Sequence, residues 1–108
     1  SYGGITAAVN ALRQKAGHML QIEVETRNLE EVQEAVDCGV NVIMLDNMDC
    51  PTMAKAVKLV NGRAKLEASG NVTMENIREV AESGVDIISL GALTHSVKAF
   101  DISMKWKK

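Results

Sequence analysis

Four glycines, Gly17, Gly39, Gly62 and Gly84, stand 22, 23 and 22 residues apart. Each separates an amphipathic stretch from a short apolar run. A glycine just past a helix end adopts a left-handed cap without the Cβ clash that other residues meet. The period therefore predicts four helix–Gly–strand units. Strands alternating with helices of this length favour right-handed crossovers and a parallel sheet. The runs after the glycines end at Glu25, Asp46, Ser69 and Gly91, so polar and small residues collect at one end of that sheet.

Within the units the signals agree. Ile5, Ala8, Val9, Leu12 and Ala16 recur at helical spacing before Gly17. A strand is expected over Ile22–Glu25. Asn28 followed by Glu31 is a capping-box pattern that opens a second helix, with Leu29, Val32, Ala35 and Val36 on its apolar face. Val42–Leu45 reads as a buried strand. Pro51 suits the first turn of a third helix, lined by Met53, Ala56, Val57 and Val60. Ala64–Ala68 reads as the third strand. Thr73 is expected to cap a fourth helix carrying Ile77, Val80 and Ala81, and Ile87–Leu90 to form the fourth strand. Ala99–Trp106 reads as a closing extended segment, with the Trp106 ring packed on a helix.

Gly39-Val40-Asn41-Val42-Ile43-Met44-Leu45-Asp46 nearly repeats as Gly84-Val85-Asp86-Ile87-Ile88-Ser89-Leu90-Gly91, an offset of 45 residues. That is two units. The period alone allows a solenoid, but no leucine-rich consensus is present. A curved parallel sheet of this kind is part of an α/β barrel. The expected fold is thus α/β: a partial (β/α) barrel of about four parallel strands, with a C-terminal extended segment.

Composition narrows the function. The 108 residues allow one modest core. A net charge of −2 argues against nucleic acid as a partner, and Lys105, Lys107 and Lys108 read as a solvated end. No run has the length of a membrane-spanning helix, so no membrane partner is expected. Cys38 and Cys50 lack metal-site spacing and read as reduced thiols, which points to a cytoplasmic location. The six methionines read as core filling, and His18 as a loop residue. The opening at Ser1, in mid-pattern, hints at a piece of a longer polypeptide.

Parallel strands covered by helices are usually apolar on both faces. Here Glu23 and Glu25 alternate with Ile22 and Val24, and Lys65, Glu67 and Ser69 alternate with Ala64, Leu66 and Ala68. In each strand the polar residues share a face. A barrel interior explains this, and Glu23, Lys65 and Glu67 are expected to pair there, since unpaired buried charge is costly. Barrel sites gather at C-terminal strand ends. Those ends read Glu25-Thr26-Arg27, Asp46-Asn47, Ser69-Gly70-Asn71 and Gly91-Ala92-Leu93-Thr94. The last two are small-residue loops suited to anion binding by backbone N–H groups, and the third is expected to run straight into a helix N-terminus.

At these residues the chain resembles the C-terminal part of the quinolinate phosphoribosyltransferase family, the carboxylating nicotinate-nucleotide pyrophosphorylases. The matching stretches are Ile22–Glu25, Ile43–Met48, Leu66–Thr73 and Ile88–Ser96, with Phe100–Lys105 resembling the family's closing segment. The resemblance covers essentially all of residues 1–108 and implies that the family's N-terminal domain and first barrel strands are absent. It implies phosphoribosyl transfer from phosphoribosyl pyrophosphate to quinolinate with magnesium, giving nicotinate mononucleotide, pyrophosphate and CO2 in NAD biosynthesis. Glu25 and Asp46 would be the catalytic carboxylates, facing the ribose hydroxyls and the magnesium–pyrophosphate region, with Mg2+ held by one or the other, directly or indirectly. Ser69, Gly70, Asn71 and Gly91 would hold the 5′-phosphate. His95 and Lys65 are further candidates. At position 71 many relatives carry a second glycine, so Asn71 is the departure from the pattern. The resemblance also implies a homodimer or larger assembly.

The groups that grip quinolinate in the family lie outside this chain, so the 108 residues alone are expected not to turn over. Two other readings stay open. One is the related phosphate-binding barrel of molybdate operons. The other is a non-catalytic half-barrel with open sheet edges.

Overall fold

The structure, a computed structural model, describes residues 3–17 and 19–90 and the backbone of 95–98. The elements run α1 (Gly4–Ala16), β1 (Glu23–Thr26), α2 (Leu29–Asp37), β2 (Val42–Asp46), α3 (Cys50–Val60), β3 (Lys65–Ser69), α4 (Ile77–Glu82), β4 (Ile87–Leu90) and β5 (His95–Lys98). The strands form one sheet in the order β1-β2-β3-β4-β5. The first four are parallel neighbours, and β5 returns antiparallel to β4. Helices alternating with four sequential parallel strands make this an α/β fold with the connectivity of part of a β/α barrel.

The strand register separates two faces. Glu23, Val42 and Lys65 are level, as are Val24, Ile43 and Leu66, then Glu25, Met44 and Glu67. The helix-covered face therefore takes Ile43, Leu45, Leu66, Ala68 and Ile88, all buried. Val32 and Ala35 of α2, Met53, Ala56 and Val60 of α3, and Ile77 and Val80 of α4 pack in the same core. Burial of this apolar surface is the main stabilising term. Thr26 is buried on this face too, and its hydroxyl donates to the Met44 carbonyl at 2.9 Å, which satisfies it.

Local signals place most ends. Gly17, Gly39, Gly62 and Gly84 all have positive φ at helix stops, although Asn61 turns left-handed ahead of Gly62. Asn28 Oδ1 accepts from Glu31 N–H at 2.9 Å, and Glu31 reaches back to Arg27 N–H at 2.7 Å. Asp49 caps α3 through Thr52 N–H, with Pro51 in the first turn.

The near-repeat has a structural counterpart. Asn41 N–H donates to the Ile22 carbonyl at 3.0 Å, while Asn41 Oδ1 accepts from Ile22 N–H at 2.8 Å. At the equivalent place Asp86 N–H donates to the Leu66 carbonyl, and Asp86 Oδ2 accepts from Leu66 N–H, both at 2.9 Å. Each Gly-Val-Asx thus brackets the entry of the neighbouring strand with a two-way clasp.

Two sequence expectations need correction here, and one strand is added. Thr73 does not cap α4: residues 73–76 form a turn, and the helix starts at Ile77 with Asn76 in the cap position. The apolar stripe of α1 is buried only at Val9; Ala8, Leu12 and Ala16 are exposed, because α1 packs chiefly on α2. A strand forms at His95–Lys98, whereas Ala99–Trp106, the Trp106 ring and His18 lie outside the described residues.

Candidate functional site

The C-terminal strand ends bring Glu25, Asp46, Ser69 and Ser89 onto the sheet face opposite the one that the described helices cover. Asp46 is level with Ser69, and Glu25 is level with Met44, one strand over and two residues before Asp46. The carboxylates of Glu25 and Asp46 therefore project on one side of the sheet, by the two-residue period of a strand. Asp46 is half-buried and Glu25 exposed.

Next to them the chain turns a tight corner. Asn47, Gly70 and Asn71 all have left-handed φ, at 61°, 69° and 49°. Asn47 N–H donates to the Ser69 carbonyl at 2.8 Å and ties the β2 exit to the β3 exit. Glycine at position 70 is favoured by both conformation and space. A Cβ there would lie 3.0 Å from Asp46 Oδ1 and 3.2 Å from the Asn47 backbone nitrogen. Among the described residues the N–H groups of Gly70, Asn71 and Val72 donate to no protein acceptor. Successive free donors in a left-handed turn make an anion-binding concavity. The helix contributes less than the sequence suggests, because α4 begins at Ile77 and has only six residues.

Farther down the same face, Glu67 is 9% exposed and accepts a hydrogen bond from the Ser89 hydroxyl. Loss of hydration, then the like charges of Glu67 and Glu25, pushes the Glu23 carboxyl above its usual range. The expected pairing of Glu23, Lys65 and Glu67 does not form. Lys65 is exposed at the opposite end of β3, level with Val42, which intervenes between it and Glu23. Lys65 thus lies away from the corner where Asp46 meets Gly70. His95 opens β5, its backbone level with Leu90. Gly91 lies outside the described residues.

Behind the corner a cleft of about 380 Å³ lies between the entries of α3 and α4, lined by Met48, Pro51, Met53, Asn71, Val72 and Glu79 among others. Cys50 borders it. Burial, with Glu79 and Asp49 adding, pushes its thiol up, so it stays protonated and is a poor nucleophile. Cys38 and Cys50 are free thiols. Sequence reasoning missed Asn76, which clasps the 69–73 loop, and Ser89, which orients Glu67. The three-residue spacing of reciprocal bonds at Asn28 and Glu31 recurs from Thr73 to Asn76 and was the available signal for the first; nothing marked the second.

No helix among the described residues is long and apolar enough to cross a membrane. The family model for the quinolinate phosphoribosyl transferase C-terminal domain matches residues 1–105. A probable carboxylating nicotinate-nucleotide pyrophosphorylase of Synechocystis is 52% identical over 106 residues, 95% of this chain and 36% of that protein. The chloroplastic enzyme of that name from Arabidopsis thaliana is 50% identical, over 95% of this chain and 35% of its own length. The nicotinate-nucleotide pyrophosphorylase structure from Ehrlichia chaffeensis superposes with a TM-score of 0.80 at 41% identity, covering 86% of this chain and 34% of that one. The chain thus spans about a third of the length of these relatives. It belongs to the quinolinate phosphoribosyl transferase family and corresponds to that family's C-terminal domain.

Proposed function

We propose that this chain supplies the ribose-phosphate part of a phosphoribosyltransferase site that joins phosphoribosyl pyrophosphate to quinolinate, releasing pyrophosphate and CO2. The observation that carries this reading is the corner in which the Asp46 carboxylate lies against Gly70, beside unengaged N–H groups. The loop of Ser69, Gly70 and Asn71, with Gly91, would hold the 5′-phosphate. Glu25 and Asp46 would face the ribose. Departure of pyrophosphate leaves positive charge on the anomeric carbon, and fixed carboxylates beside the sugar stabilise it. His95 and Lys65 are assigned no step.

Magnesium fits this donor set in one way. Among the described residues no group of three or more His, Cys, Asp or Glu side chains is placed for a metal. Two carboxylates suit an ion that arrives on a diphosphate, since Mg2+ commonly uses one or two carboxylates plus substrate phosphates. Asp46 or Glu25 would hold it, and its chemistry when bound is to neutralise the leaving diphosphate.

The names of the relatives favour quinolinate over the molybdate-operon alternative. Among β1–β4, Lys65 is the sole cation on the open face, and it stands at the far end. The grip on two quinolinate carboxylates would therefore come from other polypeptide. Assembly into a homodimer or larger oligomer belongs to the same proposal; the edge strand β1 and the exposed Leu12 of α1 support it. A cytoplasmic location also stays a proposal, since the Arabidopsis relative is named chloroplastic.

The test is calorimetric titration of the 108-residue chain with phosphoribosyl pyrophosphate and Mg2+, alongside an assay for nicotinate mononucleotide. Binding without turnover is expected. Absence of binding overturns the site, and turnover by this chain alone overturns the division of labour.

A further inference from the structure

Asn76 stands in the N-cap position of α4, yet its side chain makes no capping hydrogen bond to that helix. Its polar contacts run toward the preceding loop. Nδ2 donates to the Asn71 carbonyl at 2.7 Å, and Oδ1 accepts from Thr73 N–H at 2.8 Å. Its own N–H donates to Thr73 Oγ1 at 3.3 Å. A residue in this position ordinarily satisfies the first free N–H groups of its helix. Here the side chain is given over to the loop instead.

The loop is the segment that benefits. Two consecutive left-handed residues, Gly70 and Asn71, are a conformation that the chain leaves readily unless something holds it. A trans peptide points its C=O and N–H in opposite directions. Engaging the Asn71 carbonyl therefore turns the Val72 N–H away from Asn76 and fixes that peptide plane. The N–H groups of Gly70, Asn71 and Val72, which donate to no acceptor among the described residues, then need no rearrangement to receive an anion. Preset donors bind more tightly than donors that must first be ordered.

We infer that Asn76 is a positioning residue for phosphate binding: through Asn71 and Thr73 it presets the peptide planes of 70–72 for a phosphate monoester. This rests on the reading of 69–71 as a phosphate loop, and it adds a residue that makes no contact with the phosphate.

The experiment is an amide-resolved NMR titration of the 108-residue chain with ribose 5-phosphate and, separately, inorganic phosphate. Wild type, Asn76→Ser, Asn76→Ala and Thr73→Ala are compared, each with a thermal melt. Serine is a good helix cap but too short to reach Asn71, so N76S separates the helix from the loop. The expected result is shifts at the Gly70, Asn71 and Val72 amides of wild type. Affinity should fall roughly tenfold in N76S and N76A, the scale of one or two lost hydrogen bonds, while the N76S melt holds. T73A, which keeps the Asn71 contact, should stay within about threefold of wild type. Equal affinities in wild type and both Asn76 variants overturn the role of Asn76 and leave the phosphate loop standing. No shift at these amides in wild type overturns the phosphate loop, and this inference with it.

Discussion

The carboxylate of Asp46 occupies space that any side chain at Gly70 would need: Oδ1 lies 3.0 Å from where a Cβ would be built. The β2 exit and the β3 exit are thereby locked in one arrangement, reinforced by the 2.8 Å bond from Asn47 N–H to the Ser69 carbonyl. A change at either Asp46 or the 69–71 loop is therefore felt by the other.

Gly70→Ala tests that lock. Alanine at φ 69° carries the left-handed penalty of about 1–2 kcal/mol, and its Cβ meets the Asn47 backbone nitrogen as well as Asp46. The melting temperature should fall by several degrees, and ribose 5-phosphate affinity should drop with it. Adding Asp46→Ala should recover little, because the strain and the backbone contact at 3.2 Å remain. Full recovery in the double variant would show that the side-chain contact alone mattered.

Asp46→Asn separates charge from shape. The amide has the carboxylate's outline, so the corner should fold as before. In the presence of Mg2+, affinity for phosphoribosyl pyrophosphate should weaken roughly tenfold, the scale of a lost charge-assisted contact. On the proposed reading the loop's backbone donors carry inorganic phosphate, so affinity for it should hold. Parallel titrations read both, and equal loss for the two ligands would place Asp46 in the phosphate loop's support instead.

Glu34 is expected to contribute stability that acid removes. It is 1% exposed, and its Oε2 accepts from Gly3 N–H, Thr6 N–H and Thr6 Oγ1 at 3.0, 2.7 and 2.7 Å. The Thr6 hydroxyl first, then the two N–H groups, hold its carboxyl below the ordinary value of 4.5. A carboxylate of α2 thus caps α1, while Arg13 of α1 donates to the Cys38 and Gly39 carbonyls at the end of α2. With a depressed native value, the stabilisation is complete above the ordinary value and is lost as pH falls through the native one. Glu34→Gln should melt lower than wild type at pH 7, and the gap should close below about pH 4. A gap independent of pH would mean that shape, not charge, is what Glu34 provides.

The alternation of helix and strand was legible because glycine, asparagine and proline act locally. Gly39 and Gly84 end helices through their own φ, and Asn28 caps through a bond three residues away. The acid and loop residues were legible because register follows from alternation: once β2 and β3 pair, Asp46 and Ser69 fall level. What stayed hidden depends on contacts between distant segments. Nothing near Glu34 in the chain announces Thr6, 28 residues away. Thr73 offered a sound cap signal, but Asn76 binds back to it and closes a turn before the helix begins. The ion pairs expected for Glu23, Lys65 and Glu67 fail on distance: Glu23 and Lys65 are level but have β2 between them, and Glu67 stands two residues farther along β3 than Lys65. Sharing a face, or even a level, is not being neighbours.

That failure leaves Glu23 among like charges, and the consequence has the opposite sign from Glu34. Loss of hydration, then Glu67 and Glu25, raises its native value above the ordinary 4.5. A raised carboxyl binds its proton more tightly in the native state than in the unfolded chain. Its contribution is fully present below pH 4.5 and is lost as pH climbs through the raised native value. Glu23→Gln removes the charge that the neighbours oppose. In metal-free buffer the variant should melt higher than wild type at pH 7 and level with it near pH 4. Glu23 is exposed, so solvent screens the effect, and about 0.1 M salt should shrink it further. The same melts on Glu67→Gln should reproduce the gain at pH 7 only if the Ser89 hydroxyl bond survives the change to an amide. A fall in Tm there, beside a rise in E23Q, would show that Glu67 is held for its hydrogen bond and that Glu23 alone bears the cost of the shared charge.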